Sequence, residues 1–212
     1  MAEIGMTISR DLHVGLAQLQ LNLPEAVCEQ LLAYLRLIAK WNRSYNLTAV
    51  RDEARMLTHH LLDSLAVLPH VRGPRVLDVG SGPGLPGLPL AIARPEWQLT
   101  LLDANHKKAT FLRQAVIELE LDNVEVVCER VEKWDAQVPF DTVISRAFAE
   151  LSEFLRLAGR HCSASGQMLA MKGVYPHEEM ARLPEQFSLR DVIALHVPGL
   201  AAERHAAVLL PA

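Results

Sequence analysis

The residues richest in chemical meaning lie in one run, Val76-Leu-Asp-Val-Gly-Ser-Gly-Pro-Gly-Leu-Pro-Gly87, and at one position beyond it, Asp103. Glycines at 80, 82, 84 and 87 follow an apolar stretch and precede a short helical one. Glycine admits positive φ and lets backbone approach a ligand closely. A loop of this type at the carboxyl end of a first strand sits where α/β sheets bind ligands. Asp103 closes the next apolar run, 21 residues after Gly82. A carboxylate there can accept hydrogen bonds from both hydroxyls of a ribose, which predicts a nucleoside-bearing ligand.

Gly82, Gly84 and Gly87 satisfy G-x-G-x-x-G, a spacing shared with nicotinamide-binding proteins. Asp78, two residues before Gly80, weighs against that reading. Beside a pyrophosphate it would repel; beside a cationic methionyl ammonium, or the turn that holds it, it would attract. The chain also leaves no room for a substrate domain after a nucleotide fold. A strand, D-x-G-x-G-x-G and an acid closing the second strand resemble the class I S-adenosylmethionine-dependent methyltransferases. Two other readings stand beside it: a nicotinamide-dependent oxidoreductase, and a non-catalytic module with a nucleotide-type fold. Cofactor binding separates the first from a methyltransferase, and a methyl-transfer assay separates the second.

The elements that must position these residues change character near Val71–Pro74. Before that point the chain reads as helical. Pro24 suits a helix start, and Val27, Leu31, Leu35 and Ile38 recur on one helical face. Asp52 is placed to cap a second long helix carrying Met56, Leu57, Leu61, Leu65 and Leu68. Beyond Pro74, strands are predicted at 75–79, 98–103, 124–128, 141–145, 166–172, 189–197 and 205–210, with helices at 107–120 and 151–160. That alternation predicts an α/β fold with a mostly parallel seven-stranded, Rossmann-like sheet. The last two strands lie too close for a helical crossover and should form an antiparallel hairpin at one edge. The expected division is a helical segment, 1–72, and a cofactor-binding domain, 73–212.

Composition narrows the class. The chain has 212 residues, half of them hydrophobic, which suits an ordinary globular core. No apolar run approaches the roughly 18 residues of a membrane span, and no signal peptide is read at the start. Three scattered cysteines, Cys28, Cys128 and Cys162, predict neither a disulfide framework nor a structural zinc. His59 and His60 are adjacent, not four apart, so they do not form a helical metal pair. No metal, a cytoplasmic location and a monomer are expected. A net charge of −4 argues against a bulk nucleic-acid binder but not against a local basic face.

Over roughly 32–173 the chain resembles the bacterial RsmG (GidB) family. The resemblance rests on Trp41-Asn-x-x-Tyr-Asn-Leu-Thr48, His60-Leu-Leu-Asp-Ser64, Asp78 to Gly87, Leu101-Leu-Asp103, Phe111-Leu112, Arg130-Val-Glu132, Ser145-Arg-Ala-Phe148 and Met171-Lys-Gly173. It departs at His59, where the family often carries Arg, and at His106, before Lys107-Lys108. The resemblance implies methyl transfer from S-adenosylmethionine to N7 of guanine 527, in the 530 loop of 16S ribosomal RNA within the 30S subunit. It also implies that Gly80 and Leu85 line the methionine and ribose part of the cofactor. Val131 and Glu132 would border the adenine, and Arg146 would close the site near the reacting centre. With the loop residues Asp78, Gly82 and Gly84 and with Asp103, these form the expected cofactor set, and Arg146 is the expected catalytic residue. N7 carries no proton, so no general base is expected.

Arg36, Lys40, Arg43, Arg51 and Arg55 face only two acids between 36 and 60, with Trp41 and Tyr45 interleaved. Aromatics stack unpaired bases and arginines hold phosphates, so Arg43, Arg51 and Arg55 are candidate RNA contacts. Trp41 is expected instead to pack the helical segment on the sheet. Lys172, at the end of the fifth strand, is a further RNA candidate. His60 is expected to be buried or capping, and Asp63 to orient a neighbour or cap locally.

Overall fold

The computed structural model describes residues 2–146, Phe148 and 150–212. Ala147, within the Ser145–Phe148 motif, lies outside the described residues. Seven strands form one sheet: β1 (Arg75–Val79), β2 (Gln98–Leu102), β3 (Val124–Val127), β4 (Phe140–Arg146), β5 (Cys162–Lys172), β6 (Phe187–Ala194) and β7 (His205–Pro211). Their order is β3-β2-β1-β4-β5-β7-β6. The first five are parallel, and β7 runs antiparallel to both β5 and β6. The predicted edge hairpin is therefore present. The order of strand addition reverses at β1, which lies between β2 and β4, so a crevice opens at the β1 carboxyl end.

Helices cover both faces. They are α1 (Ala2–Gln18), α2 (Glu25–Tyr45), α3 (Glu53–Met56), α4 (Asp63–Ala66), α5 (Gly87–Ala93), α6 (His106–Glu118), α7 (Leu151–Ala158) and α8 (His177–Met180). The pleat sends alternate strand residues to opposite sides. Val76, Leu101, Ile144 and Leu169 join one core with residues of α1, α2 and α6. Leu77, Leu102, Val143 and Met168 join the other with Leu151, Phe154 and Leu155 of α7. Residues of the 1–72 segment, from Ile8 to Val71, thus share a core with one face of the sheet. Trp41 meets Phe111 of α6 edge-on at 5.6 Å between ring centroids.

Two helical details differ from the sequence expectation. Helix α1 buries Ile8, Leu12 and Leu16, a four-residue spacing that was available in the sequence. The second long helix is not uniform. Asp52 does cap it, its side chain accepting from the Arg55 N–H at 2.9 Å. Between α3 and α4, however, Leu57–Leu62 form a π-helical turn, and Leu68 belongs to a separate 3-10 turn, Leu68–His70. Strand β5 also begins earlier than expected, at Cys162. Strand β6 ends at Ala194, because Val197 leaves the ladder to enter the first core.

Candidate active site

The glycine loop is held from three sides. Below it, Gly80 and Ser81 N–H groups donate to the Leu102 carbonyl at 2.8 and 3.2 Å. Ser145 Oγ donates to the Val79 carbonyl at 2.7 Å. Above it, the fully buried Tyr34 hydroxyl of α2 donates to the Pro83 carbonyl at 2.7 Å. Asp78 lies under the loop, fully buried, and its Oδ2 accepts from the Gly87 N–H at 3.0 Å, fixing the first turn of α5. Burial pushes its carboxyl up to about 7, and its other oxygen has no partner. Gly84 has φ +94, and a Cβ there would meet Leu88 at 2.5 Å, so this position requires glycine twice over.

Two cavities open above the carboxyl ends of the parallel strands and share Gly80. One, about 490 Å³, is bounded by Gly80, Asp103, Val131, Glu132, Phe148 and Arg156. Asp103 is nearly buried here, and its two oxygens accept from the Gly82 N–H and the Asn105 N–H, each at 2.8 Å. Those bonds aim the carboxylate while each oxygen keeps a lone pair for a hydroxyl. Gly80, at φ +70, leaves the floor open: a Cβ there would touch only Phe148, at 3.7 Å. Glu132 pairs with Arg130 at 3.5 Å on the rim.

The second cavity, about 420 Å³, is bounded by Asp63, Leu85, Lys108, Arg146, Lys172 and Arg204, with Gly80 and Gly82 at its base. Asp63 is its one carboxylate among the described residues, and it is fully committed. Arg146 Nη1 donates to Asp63 Oδ2 at 3.0 Å, and Arg204 Nε donates to Asp63 Oδ1 at 2.9 Å. The π-helical turn contributes here. The Asp63 N–H bonds the Thr58 and His60 carbonyls and passes over His59, its α-helical partner. The His59 carbonyl instead accepts from Arg146 Nη1 at 2.9 Å. Such turns often mark functional sites for this reason, since they present backbone groups that a regular helix consumes. His60, one residue on, is buried, with Nε2 2.9 Å from Thr48 Oγ1; burial lowers its imidazole to about 4.

The structure therefore gathers Gly80, Asp103, Val131 and Glu132 around one cavity and Gly80, Gly82, Leu85, Arg146 and Lys172 around the other. Asp78 and Gly84 line neither; they shape the loop. Arg43, Arg51 and Arg55 are exposed and line neither cavity. Lys172 is bound to Glu179 at 2.7 Å. The sequence reading of Asp63 as a residue that orients a neighbour or caps locally meets Arg146 and Arg204 here, whereas the sequence reading assigns no role to Arg204 or Tyr34. One signal could have found Arg204. An antiparallel strand begins where its parallel neighbour ends, and the pairing of Lys172 with His205 puts Arg204 at the active edge. Elsewhere, His13 pairs with Glu25 at 2.9 Å beside Cys28, sharing no residue with either cavity. No described helix is long and apolar enough to cross a membrane.

The strand order and the loop at the β1 carboxyl end define a class I methyltransferase fold, and solved structures agree. The chain superposes on a SAM-dependent methyltransferase from Aquifex aeolicus with TM-score 0.57 at 20% identity, covering 75% of this chain and 94% of that one. TrmN from Thermus thermophilus gives TM-score 0.57 at 20% identity, over 81% of this chain and 53% of that one. Sequence comparison identifies the family. Residues 27–207 match the GidB model, rRNA small subunit methyltransferase G, and the chain belongs to that family of S-adenosylmethionine-dependent enzymes. It is 58% identical over 200 residues to Ribosomal RNA small subunit methyltransferase G of Laribacter hongkongensis, covering 94% of this chain and 97% of that one. The namesake of Nitrosospira multiformis is 54% identical over 211 residues, covering 96% and 98%.

Proposed function

We propose that this enzyme methylates N7 of guanine 527 in the 530 loop of 16S ribosomal RNA, acting on 30S subunits in the cytoplasm. S-adenosylmethionine, when bound, supplies an electrophilic methyl on a sulfonium whose departure leaves a neutral thioether. The cavity around Asp103 would hold its nucleoside half: Asp103 would offer a lone pair to each ribose hydroxyl, Val131 and Glu132 would border the adenine, and Gly80, shared with the second cavity, and Leu85 of that second cavity would line the methionine. Asp78 keeps the loop in shape from below, and Gly82 and Gly84 provide its backbone path.

The observation that carries the reading is the state of Asp63. Both oxygens of the carboxylate lining the reaction-side cavity are engaged by guanidinium groups, so neither is aimed at a substrate proton. Guanine N7 has an in-plane lone pair and no proton, so it asks for no base. What the chain must do is hold the guanine in line, and near-attack positioning is worth roughly 7–11 kcal/mol in favourable cases. Arg146, fixed by Asp63 and the His59 carbonyl, keeps further N–H groups that can orient the base. Lys108, Lys172 and Arg204 bring positive charge suited to phosphates. The test is tritiated methyl transfer to 30S subunits that lack the modification, with the labelled nucleotide mapped. Label at N7 of guanine 527 is expected. Label at another nucleotide, or at another atom of that guanine, rejects the assignment.

A further inference from the structure

Past Lys172 the chain leaves the sheet as Gly173-Val174-Tyr175-Pro176 and enters α8. Val174 is 72% exposed and Tyr175 38% exposed, two large apolar side chains that directly follow Gly173 of the reaction-side cavity. The tip is ordered by its neighbours. Tyr175 lies over the His177 ring at 4.3 Å between centroids and 36° between planes, and meets His205 edge-on at 5.5 Å. The His177 N–H donates to the Tyr175 carbonyl at 3.0 Å, and Pro176 is buried beneath. Glu179 of α8 accepts from both Lys172 Nζ and the Leu151 N–H, tying the segment to α7. A Cβ on Gly173 would lie 3.9 Å from Arg204 Nη1, so the tip adjoins the cationic wall directly.

We propose that Tyr175 is a substrate-positioning residue: its exposed part stacks against an unpaired nucleobase adjacent to the target nucleotide. The proposal rests on the RNA-methylating reading above. A ring already held by His177 and His205 loses little freedom when a base covers its exposed part. Lys172 is paired with Glu179, but Arg146 and Arg204 share the single carboxylate of Asp63, which leaves this wall an excess positive charge suited to a flanking phosphate. Stacking on an aromatic accepts any base, so Tyr175 would set the register of the strand, while specificity for guanine stays inside the cavity. Val174 would border the same base at its edge.

The deciding experiment measures fluorescence of a six-nucleotide single-stranded RNA carrying one 2-aminopurine, titrated with wild type, Y175W and Y175L. Quenching by wild type and Y175W, and its loss in Y175L with cofactor affinity and Tm unchanged, is expected. Equal quenching by Y175L, or none by wild type, overturns the proposal. In parallel, Y175L should raise KM for unmodified 30S subunits about tenfold while leaving kcat within twofold, as loss of one stacked base implies. A raised KM with no Tyr175-dependent quenching means that the tyrosine meets a ribosomal protein, and also overturns the proposal. Tyr175-dependent quenching by an enzyme that transfers no methyl to 30S subunits rejects the ribosomal substrate and keeps the stacking.

Discussion

Arg146 and Asp63 meet at 3.0 Å, 83 residues apart in the chain, and their contact joins the end of β4 to the start of α4. Arg204 binds the other oxygen of the same carboxylate at 2.9 Å. One buried acid therefore fixes two cations that the sheet alone would leave free to swing.

This arrangement sets the expectation for Arg146→Ala. Asp63 keeps Arg204, so the loss of stability should be modest, about 1–3 kcal/mol. Methyl transfer should fall further, by about 100-fold or more, the range seen when one oriented donor at a reacting centre is removed. Turnover and urea unfolding measured on the same preparation decide this; unchanged turnover removes Arg146 from the mechanism. Asp63→Ala strands two guanidiniums at once and should cost more stability, about 3–5 kcal/mol.

Asp78 and His60 predict opposing pH dependences. The Asp78 carboxyl is raised by burial to about 7, so the native state holds a proton that the unfolded chain releases near 4. Its contribution is fully present below pH 4 and is lost as pH rises towards 7. His60 is lowered by burial to about 4, so the native state excludes a proton that the unfolded chain takes up near 6.5. Its contribution is present above pH 6.5 and is lost as pH falls towards 4. Between those limits the two slopes offset each other. Asp78→Asn keeps an acceptor for the Gly87 N–H, and it should leave stability rising with pH across 4.5–6.5. A wild-type slope in that variant rejects the assignment to Asp78.

The loop glycines should separate by function. Gly84→Ala forces a Cβ against Leu88 as well as an unfavourable φ, so it should lower Tm by several degrees, for a cost of about 2–4 kcal/mol. Gly80→Ala meets nothing closer than 3.7 Å and carries only the φ penalty, about 1–2 kcal/mol. Its methyl group would instead stand on the floor shared by the two cavities. Calorimetric titration with S-adenosylmethionine should show the larger affinity loss in folded Gly80→Ala.

The exposed arginines of the N-terminal helices give a salt test. If Arg43, Arg51 and Arg55 each hold a phosphate, replacing all three with Ala should reduce the slope of log affinity against log salt by about 2 for single-stranded RNA. An unchanged slope discards this surface as an RNA contact.

Much of the scaffold was legible because it depends on local pattern. Strand β1 begins and ends where the apolar run Arg75–Val79 does, and the spacing from Gly82 to Asp103 placed the carboxylate beside the loop. The hydrogen bond between those two residues is the structural form of that spacing. Arg204 was missed because its partner lies 141 residues earlier, and no periodicity reports such a pairing. The π-helical turn was hidden for a different reason. Leu57, Leu61 and Leu65 continue a regular helical stripe through it, so the change is carried by backbone bonds alone.

The antiparallel return of β7 has a consequence for synthesis. Asp63 and Arg146 have left the ribosome well before Arg204 is added to the chain. The glycine loop and the residues around Asp103 lie upstream, yet Asp63 gains its second guanidinium only when β7 docks. Truncation just before Arg204 removes the buried strand β7 and the second guanidinium partner of Asp63, and it should abolish methyl transfer to ribosomes.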